Sequence, residues 1–162
     1  MHANCKRLIK KYAVPHFTRD SRVLEVGPNF DNLMVLPHKI WDTTDIVYNP
    51  RLTFQCRENY IPVSTESYDI VYATNVMEHV RMPWEWIVEL ARVCVRGGLV
   101  ILVVPATWPY HPDPIDCWRV YCDGMEALLR HANLIPVMAV TEGERHWFRS
   151  PVLDTIGIGR KP

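Results

Sequence analysis

Residues 22–28 have the sequence Arg-Val-Leu-Glu-Val-Gly-Pro. A compact run of aliphatic and β-branched side chains that ends at a Gly-Pro pair predicts a buried strand followed by a sharp turn. Further strands are predicted over residues 39–47, 52–56, 68–73, 99–104, 135–141 and 154–159, the last two separated by a polar stretch over 142–149. These strands alternate with helical segments through short loops, an order that predicts an α/β fold with a doubly wound parallel sheet.

The helical segments are predicted over residues 4–13, 30–36, 83–95 and 124–132. Pro83 suits the first turn of the third helix, and the Arg96-Gly97-Gly98 turn is predicted to be its C-cap. Asp123 and Glu126 have the spacing of a capping box, which predicts the start of the fourth helix.

The chain has 162 residues, of which 48% are hydrophobic and 22% are charged. This is the size and composition of one globular domain, and the sequence shows no internal repeat or interdomain linker. We expect a single domain over residues 1–162, with a leading helix in 1–20, a ligand-binding core over 21–134 and closing strands over 135–162.

The 18 basic and 18 acidic residues cancel, so the chain lacks the field that holds a nucleic-acid backbone. The five cysteines form no CxxC pair, which disfavours a disulfide framework. No apolar run approaches the ~18 residues of a membrane span. We therefore expect a cytoplasmic protein that binds neither nucleic acid nor a membrane.

A ligand is expected beyond the carboxyl ends of the first and fourth strands, where the strand order of such a sheet reverses. Gly27 removes a side chain where the backbone turns toward that crevice. Asp45 follows Gly27 at about the interval at which a strand-two carboxylate meets a ribose diol in dinucleotide-binding folds. By itself, this spacing is a weak signal, and in an isolated strand-turn-helix unit it favours an ordinary structural role.

Four motifs in matching order carry a family resemblance. Val23-Leu-Glu-Val-Gly27 looks like methyltransferase motif I, Ser67-Tyr-Asp-Ile-Val71 like the strand-four motif, and Asn75-Val-Met-Glu-His-Val80 like the signature that follows it. Arg92-Val-Cys-Val-Arg-Gly-Gly98 resembles the turn before strand five. Over residues 22–134 the chain thus resembles the class I S-adenosylmethionine-dependent methyltransferases of the small-molecule type. The resemblance implies a Rossmann-like, mostly parallel sheet closed by a C-terminal antiparallel strand pair, with S-adenosylmethionine as cofactor.

The cofactor-binding residues that this resemblance implies are Glu25, Gly27, Pro28, Asn29, Asp45, Ile46, Arg57, Thr74 and Asn75. Glu25 either orients the amino-acid end of the cofactor or caps the turn. Two features depart from the family pattern. Asn29 and Asp31 replace the second and third glycines of motif I, and the acid that follows strand three in the family is replaced by residues 56–58, Cys-Arg-Glu.

A later segment, residues 109–119, is similar to one found in a subgroup associated with sugar and cell-envelope biosynthesis. His111 is the predicted general base, because a neutral imidazole can accept a hydroxyl proton, and His79 is the alternative. Asp116, Trp118 and Arg119 form either a substrate wall or, for Trp118, a core anchor with Arg119 as its ion-paired neighbour.

These residues predict O-methylation of a small-molecule or glycan acceptor, and a homodimer is compatible with the sequence. The alternative is a non-catalytic or degenerate cofactor-binding domain that serves as a partner subunit. A nicotinamide-binding domain is disfavoured because no complete GxGxxG motif is present. No metal is expected, since the spacing of the histidines and cysteines matches no zinc pattern.

Overall fold

The computed structural model of the chain describes residues 3–30, 36–146 and 149–162. The helical elements are α1 (Ala3–Leu8), which continues as π-helix (Ile9–Ala13) and 3₁₀-helix (Val14–His16), a 3₁₀ turn (Met77–His79), α2 (Pro83–Val93) and α3 (Cys122–His131). The strands are β1 (Arg22–Val26), β2 (Ile40–Asp45), β3 (Phe54–Gln55), β4 (Tyr68–Thr74), β5 (Cys94–Thr107), β6 (Ile135–His146) and β7 (Arg149–Arg160).

The strands form one seven-stranded sheet in the order β3-β2-β1-β4-β5-β7-β6. Strands β1 to β5 pair in parallel, whereas β7 runs antiparallel to both β5 and β6. The predicted Rossmann-like fold, mostly parallel with a C-terminal antiparallel pair, is confirmed. The strand order reverses between β1 and β4, so their carboxyl ends flank a crevice at one edge of the sheet.

Both faces of the sheet are covered, because successive side chains of a strand point to opposite faces. Val23 belongs to the buried cluster that contains Leu8 of α1. Its neighbour Leu24 belongs to the other cluster, with Ile87 of α2 and Met125 of α3. Burying each such side chain contributes roughly 1.5–3 kcal/mol, and this two-sided burial explains why the central strands are mostly apolar.

Helix α2 ends at Val93, and the predicted C-cap at residues 96–98 is wrong. Cys94 is already part of β5, where it pairs with Tyr68, and the register of β5 against β4 then shifts. The glycines lie in this irregularity, where Gly97 adopts a φ of 76°. The Gly-Gly pair therefore allows β5 to bulge against β4 and does not terminate the helix.

The predicted capping box of α3 is also wrong. The helix starts at Cys122, and its N-cap residue Tyr121 makes no side-chain capping bond. Asp123 lies in the first turn of the helix. The Thr141 hydroxyl of β6 accepts the Cys122 N–H at 2.9 Å, so a neighbouring strand caps this helix.

The remaining differences concern lengths. Strands β6 and β7 extend through most of the polar stretch predicted to separate them, because they pair with each other almost to their hairpin end. Strand β3 is shorter than predicted. The helix predicted over 30–36 falls largely on residues 31–35, outside the described residues.

Within the described ranges, no helix is both long and apolar enough to cross a membrane.

Candidate functional site

A cavity of about 450 Å³ opens beyond the carboxyl ends of β1, β2 and β4, a size typical of small-molecule sites. Every predicted cofactor-binding residue except Glu25 lines it: Gly27, Pro28, Asn29, Asp45, Ile46, Arg57, Thr74 and Asn75. The fold thus brings together residues from four separate segments of the chain at the predicted crevice.

Gly27 shapes the turn after β1. Its φ is 68°, a left-handed conformation that costs other residues about 1–2 kcal/mol. A Cβ at this position would lie 2.3 Å from Cγ2 of Val76. The glycine is therefore required twice, for the backbone conformation and for the close approach of the segment that follows β4.

Asn75 carries a polar atom that no residue in the described ranges satisfies. It adopts a φ of 55°, which asparagine tolerates better than most residues, and its N–H donates to the Val103 carbonyl at 2.8 Å. Its side-chain Oδ1 is buried without a hydrogen-bond partner among the described residues. Buried polar atoms are normally paired, so an unsatisfied acceptor on the cavity wall fits a ligand that carries a donor.

Asp45 ends β2 at the mouth of the cavity. Its Oδ1 accepts the Val47 N–H at 3.0 Å, and its backbone carbonyl accepts the Cys56 N–H at 3.0 Å. These two bonds fix the carboxylate and tie β2 to the segment after β3. Oδ2 accepts no hydrogen bond from the described residues, so this oxygen can accept one from a ligand hydroxyl.

The segment after β3 forms a second wall. The Arg57 and Tyr60 backbones bond each other at 2.9 and 3.2 Å, closing a tight loop. Glu58 lies near the position of the missing family acid and lines the cavity. Its carboxylate accepts hydrogen bonds from the Arg81 backbone at 2.7 Å and guanidinium at 3.0 Å, so Glu58 is held by a neighbour.

Glu25 does not line the cavity among the described residues. Strand alternation directs Val26 toward the cavity and Glu25 to the other face. There the buried carboxylate accepts the Trp41 indole N–H at 2.9 Å, and burial raises the pKa of Glu25 above its ordinary value.

The two predicted base candidates lie next to each other. The rings of His79 and His111 are 5.1 Å apart and nearly perpendicular. His79 lines the cavity, and His111 does not. The Ile115 carbonyl lies 2.5 Å from Nδ1 of His79. This hydrogen bond assigns the proton to Nδ1 and leaves Nε2 as the basic nitrogen.

Asp116, Trp118 and Arg119 lie outside the cavity lining. Arg119 bonds Asp116 at 2.6 and 2.7 Å, and this guanidinium, with the His111 backbone N–H at 2.8 Å, holds the pKa of Asp116 well below its usual range. The Trp118 indole donates to the Val80 carbonyl at 2.8 Å. The geometry favours the core-anchor interpretation, in which these residues brace the loop that carries His111.

Glu78 was not assigned a role from the sequence. Its side chain is fully buried, and neither carboxylate oxygen has a hydrogen-bond partner among the described residues. Burial raises the pKa of Glu78 to about 7, although the nearby Asn75 amide opposes this effect. Only its place beside His79 in the motif could have singled it out, since its burial depends on the folded loop.

Comparison with known proteins supports a methyltransferase domain. A methyltransferase domain family matches residues 39–102. Uncharacterized methyltransferases of Mycobacterium bovis and Mycobacterium tuberculosis are 45% identical over 42 residues, which is 26% of this chain and only 16% of theirs.

Several solved structures share the fold. An S-adenosylmethionine-dependent methyltransferase from Mesorhizobium loti has a TM-score of 0.73 at 9% identity, covering 97% of this chain and 98% of its own. The Burkholderia thailandensis 1,6-didemethyltoxoflavin-N1-methyltransferase, solved with its substrate and S-adenosylhomocysteine, has a TM-score of 0.67 at 13% identity, covering 97% and 76%. The family match and the structural likenesses support S-adenosylmethionine as the cofactor. They do not distinguish the sugar- and cell-envelope-associated subgroup.

Proposed function

Because this chain carries a class I S-adenosylmethionine-dependent methyltransferase domain, we propose that it transfers a methyl group to a hydroxyl of a small or carbohydrate-like acceptor. The observation that carries the proposal is the cavity itself. Gly27, Asp45 and Asn75, which come from three different strand ends, line one space of about 450 Å³.

The first part of the proposal concerns how the residues hold the cofactor. Asp45 offers its free carboxylate oxygen to the ribose diol, and charge-assisted hydrogen bonds of this kind contribute about 1.5–3 kcal/mol each. Asn75 offers its unsatisfied Oδ1 to a donor group. The turn at Gly27 brings backbone close to the ligand without a side chain in the way. When bound, S-adenosylmethionine supplies an electrophilic methyl group on its sulfonium.

The second part concerns the proton of the acceptor. We place its removal at Nε2 of His79, since this ring lines the cavity and its other nitrogen is held by Ile115. His111, the base predicted from the sequence, packs against His79 and is the alternative. A positioned base of this kind typically contributes 10²–10⁴-fold in rate.

The same geometry supports an oxygen acceptor. A hydroxyl must lose a proton as it is methylated, and the cavity presents a basic imidazole to receive it. The carbohydrate-like character of the acceptor rests on the segment 109–119, which resembles the subgroup associated with sugar biosynthesis.

A binding-only partner subunit is the second candidate. Two observations favour it: Asn29 replaces a motif glycine, and Glu58 near the family acid's position is held by Arg81. Both features reduce the expected affinity for the adenosyl end of the cofactor, and neither of them closes the cavity.

The test is an acceptor screen in which release of S-adenosylhomocysteine is measured with sugars, phenols, amines and carboxylates. We expect turnover with a hydroxyl-bearing acceptor and none with its O-methylated form. Turnover restricted to amines would contradict O-methylation, and turnover restricted to carboxylates would contradict a hydroxyl acceptor. Cofactor binding without turnover on any acceptor would favour the partner-subunit alternative.

A further inference from the structure

A carboxylate and two imidazoles converge next to the part of the cavity wall that His79 forms. Glu78, His79 and His111 each place one potential ligand atom within 4.8 Å of the other two. Glu78 and His79 belong to the 3₁₀ turn after β4, whereas His111 comes from the loop after β5. The cluster is assembled by the fold, which is why sequence spacing did not predict it.

Glu78 is the feature that most needs an explanation. A carboxylate buried without a hydrogen bond is costly, because its charge loses water and gains no partner. Glu78 is 0% exposed, and no described residue places a donor within hydrogen-bond distance of either oxygen, although its own backbone N–H and the Asn75 side chain lie near enough to lower its pKa against the effect of burial. Nε2 of His79 is 3.8 Å from Oε1, which is beyond hydrogen-bond distance. A cation between these groups would satisfy the carboxylate.

The two imidazoles are oriented as metal ligands usually are, with one nitrogen held by the protein and the other left open. Nδ1 of His79 is bonded to the Ile115 carbonyl. Nδ1 of His111 lies 2.9 Å from the Pro109 carbonyl and 3.2 Å from an Asp116 oxygen. Each ring therefore has its Nε2 lone pair available.

We propose that Glu78, His79 and His111 form a site for a divalent transition metal, with one carboxylate oxygen and the two Nε2 atoms as ligands. Imidazole nitrogen with carboxylate oxygen suits zinc and its neighbours in the first row and does not suit magnesium or calcium. Three protein ligands leave at least one coordination position open.

The geometry requires a small contraction. Zinc–ligand bonds of about 2.1 Å join donors that are at most roughly 4 Å apart, so the outermost donors must approach by about 1 Å. Rotation of the half-exposed His111 ring, whose side chain is 35% exposed, can supply this movement. His79 and Glu78 are adjacent on one turn and need to move less.

The charges around the cluster permit a cation. Nη2 of Arg119 lies 3.4 Å from Nδ1 of His111, and the charge of this guanidinium is paired with the Asp116 carboxylate at 2.6 Å. The exposed Cys117 thiol is a competing ligand that the experiment must exclude, since its backbone N–H donates to the Glu78 carbonyl at 2.7 Å. A bound ion would occupy both Nε2 atoms. His79 can therefore accept the proton in the proposed reaction only when no metal is bound.

The experiment is a calorimetric titration of the chelator-treated chain with Zn²⁺ alone, without cofactor or acceptor. Its result is therefore independent of the methyl-transfer proposal. We expect saturable one-to-one binding that is at least tenfold weaker in His79→Ala, in His111→Ala and in Glu78→Gln. His131→Ala, which removes an exposed histidine of α3, and Cys117→Ser should bind like the unaltered chain.

Circular dichroism of each variant checks its fold, and the two histidine variants keep the test valid if Glu78→Gln does not fold. Co²⁺ should give visible d–d absorption without a near-ultraviolet thiolate band. The proposal is overturned if the unaltered chain shows no saturable binding at micromolar Zn²⁺. It is also overturned if the ligand variants bind like His131→Ala, or if Cys117→Ser abolishes binding.

Discussion

The two sides of the cavity are built differently. On the cofactor side, Gly27, Asp45 and Asn75 occupy strand ends, and each is fixed by backbone contacts close to it in sequence or in the sheet. On the side proposed for the acceptor, His79 lines the cavity and is held by Ile115 and packed against His111, both from the loop after β5. The cofactor side therefore depends on the strand order of the sheet, whereas the other side depends on the turn after β4 and the loop after β5.

Sequence variation is expected to be tolerated differently on the two sides of the cavity. Strand ends of a parallel sheet converge in any protein with this strand order, so a cofactor site there needs few special residues. Loop residues can change without altering the sheet, and binding specificity is commonly carried by them. We therefore expect substitutions on the two sides to affect different measurable quantities.

The largest expected effect comes from the acceptor side. His79→Ala should lower kcat by roughly 10²–10⁴-fold, the range for loss of a general base, and leave cofactor affinity nearly unchanged. The measurement is release of S-adenosylhomocysteine at saturating cofactor. His111→Ala should cost less, because its ring does not line the cavity.

His131→Ala serves as the control for this comparison and should keep full turnover. A larger loss in His111→Ala than in His79→Ala would return the role of base to His111. Equal cofactor weakening and kcat loss in both variants would contradict the division of the cavity into two sides.

The next effect belongs to the cofactor side. Asp45→Ala should weaken binding of S-adenosylhomocysteine by about 1.5–3 kcal/mol for each charge-assisted hydrogen bond lost, measured by calorimetry. Asp20→Ala, which removes an exposed carboxylate ahead of β1, is the matched control. Unchanged binding in Asp45→Ala would assign the ribose contact to another group and remove the strongest polar anchor from this side.

A smaller effect tests the turn that joins the two sides. Gly27→Ala should destabilise the chain by about 1–3 kcal/mol in urea unfolding, because it combines an unfavourable φ with a contact of 2.3 Å to Val76. Gly97→Ala is the control, since Gly97 has a φ of 76° but no atom within 4 Å of the added Cβ.

Adding Val76→Ala to Gly27→Ala should recover the steric part of the loss and leave the part due to φ. If the double variant recovers nothing, the close approach is not what requires glycine at this position.

The smallest expected effect is a change in pH dependence. Burial raises the pKa of Glu25, so the folded chain binds its proton more tightly than the unfolded chain does. Stability should therefore fall as pH rises through and above the ordinary glutamate pKa. Glu25→Gln keeps an acceptor for Trp41 and should make this decline in Tm between pH 4 and pH 7 shallower, while the part of the decline due to Glu78, whose pKa is raised to about 7, remains. An unchanged slope would show that Glu25 is not the group responsible.

The sequence alone predicts the parts of the molecule that depend on local pattern. Apolar runs and the turn residues that bound them predict the strands around Val23 and Ile101 and the turn at Gly27. The same strand assignment places Asp45 at the cavity. Residues with left-handed backbone, such as Gly27, are recognisable because few residue types tolerate that conformation.

Tertiary contacts decide the rest. Thr141 replaces the expected cap of α3 because a strand happens to bring a hydroxyl to the helix start. Pairing of Cys94 with Tyr68 ends α2 before its glycines. Glu78 is fully buried in a fold in which its backbone carbonyl accepts the Cys117 N–H from the loop after β5. None of these contacts leaves a periodic signal in the chain.

The central claim is that the cavity at the ends of β1, β2 and β4 holds S-adenosylmethionine. Calorimetric titration of the unaltered chain with S-adenosylmethionine, S-adenosylhomocysteine and NAD tests it directly. We predict saturable one-to-one binding of S-adenosylmethionine and of S-adenosylhomocysteine, weakened in Asp45→Ala, and no saturable binding of NAD. Binding of NAD with equal or greater affinity, or no binding of either sulfur nucleoside, would contradict it.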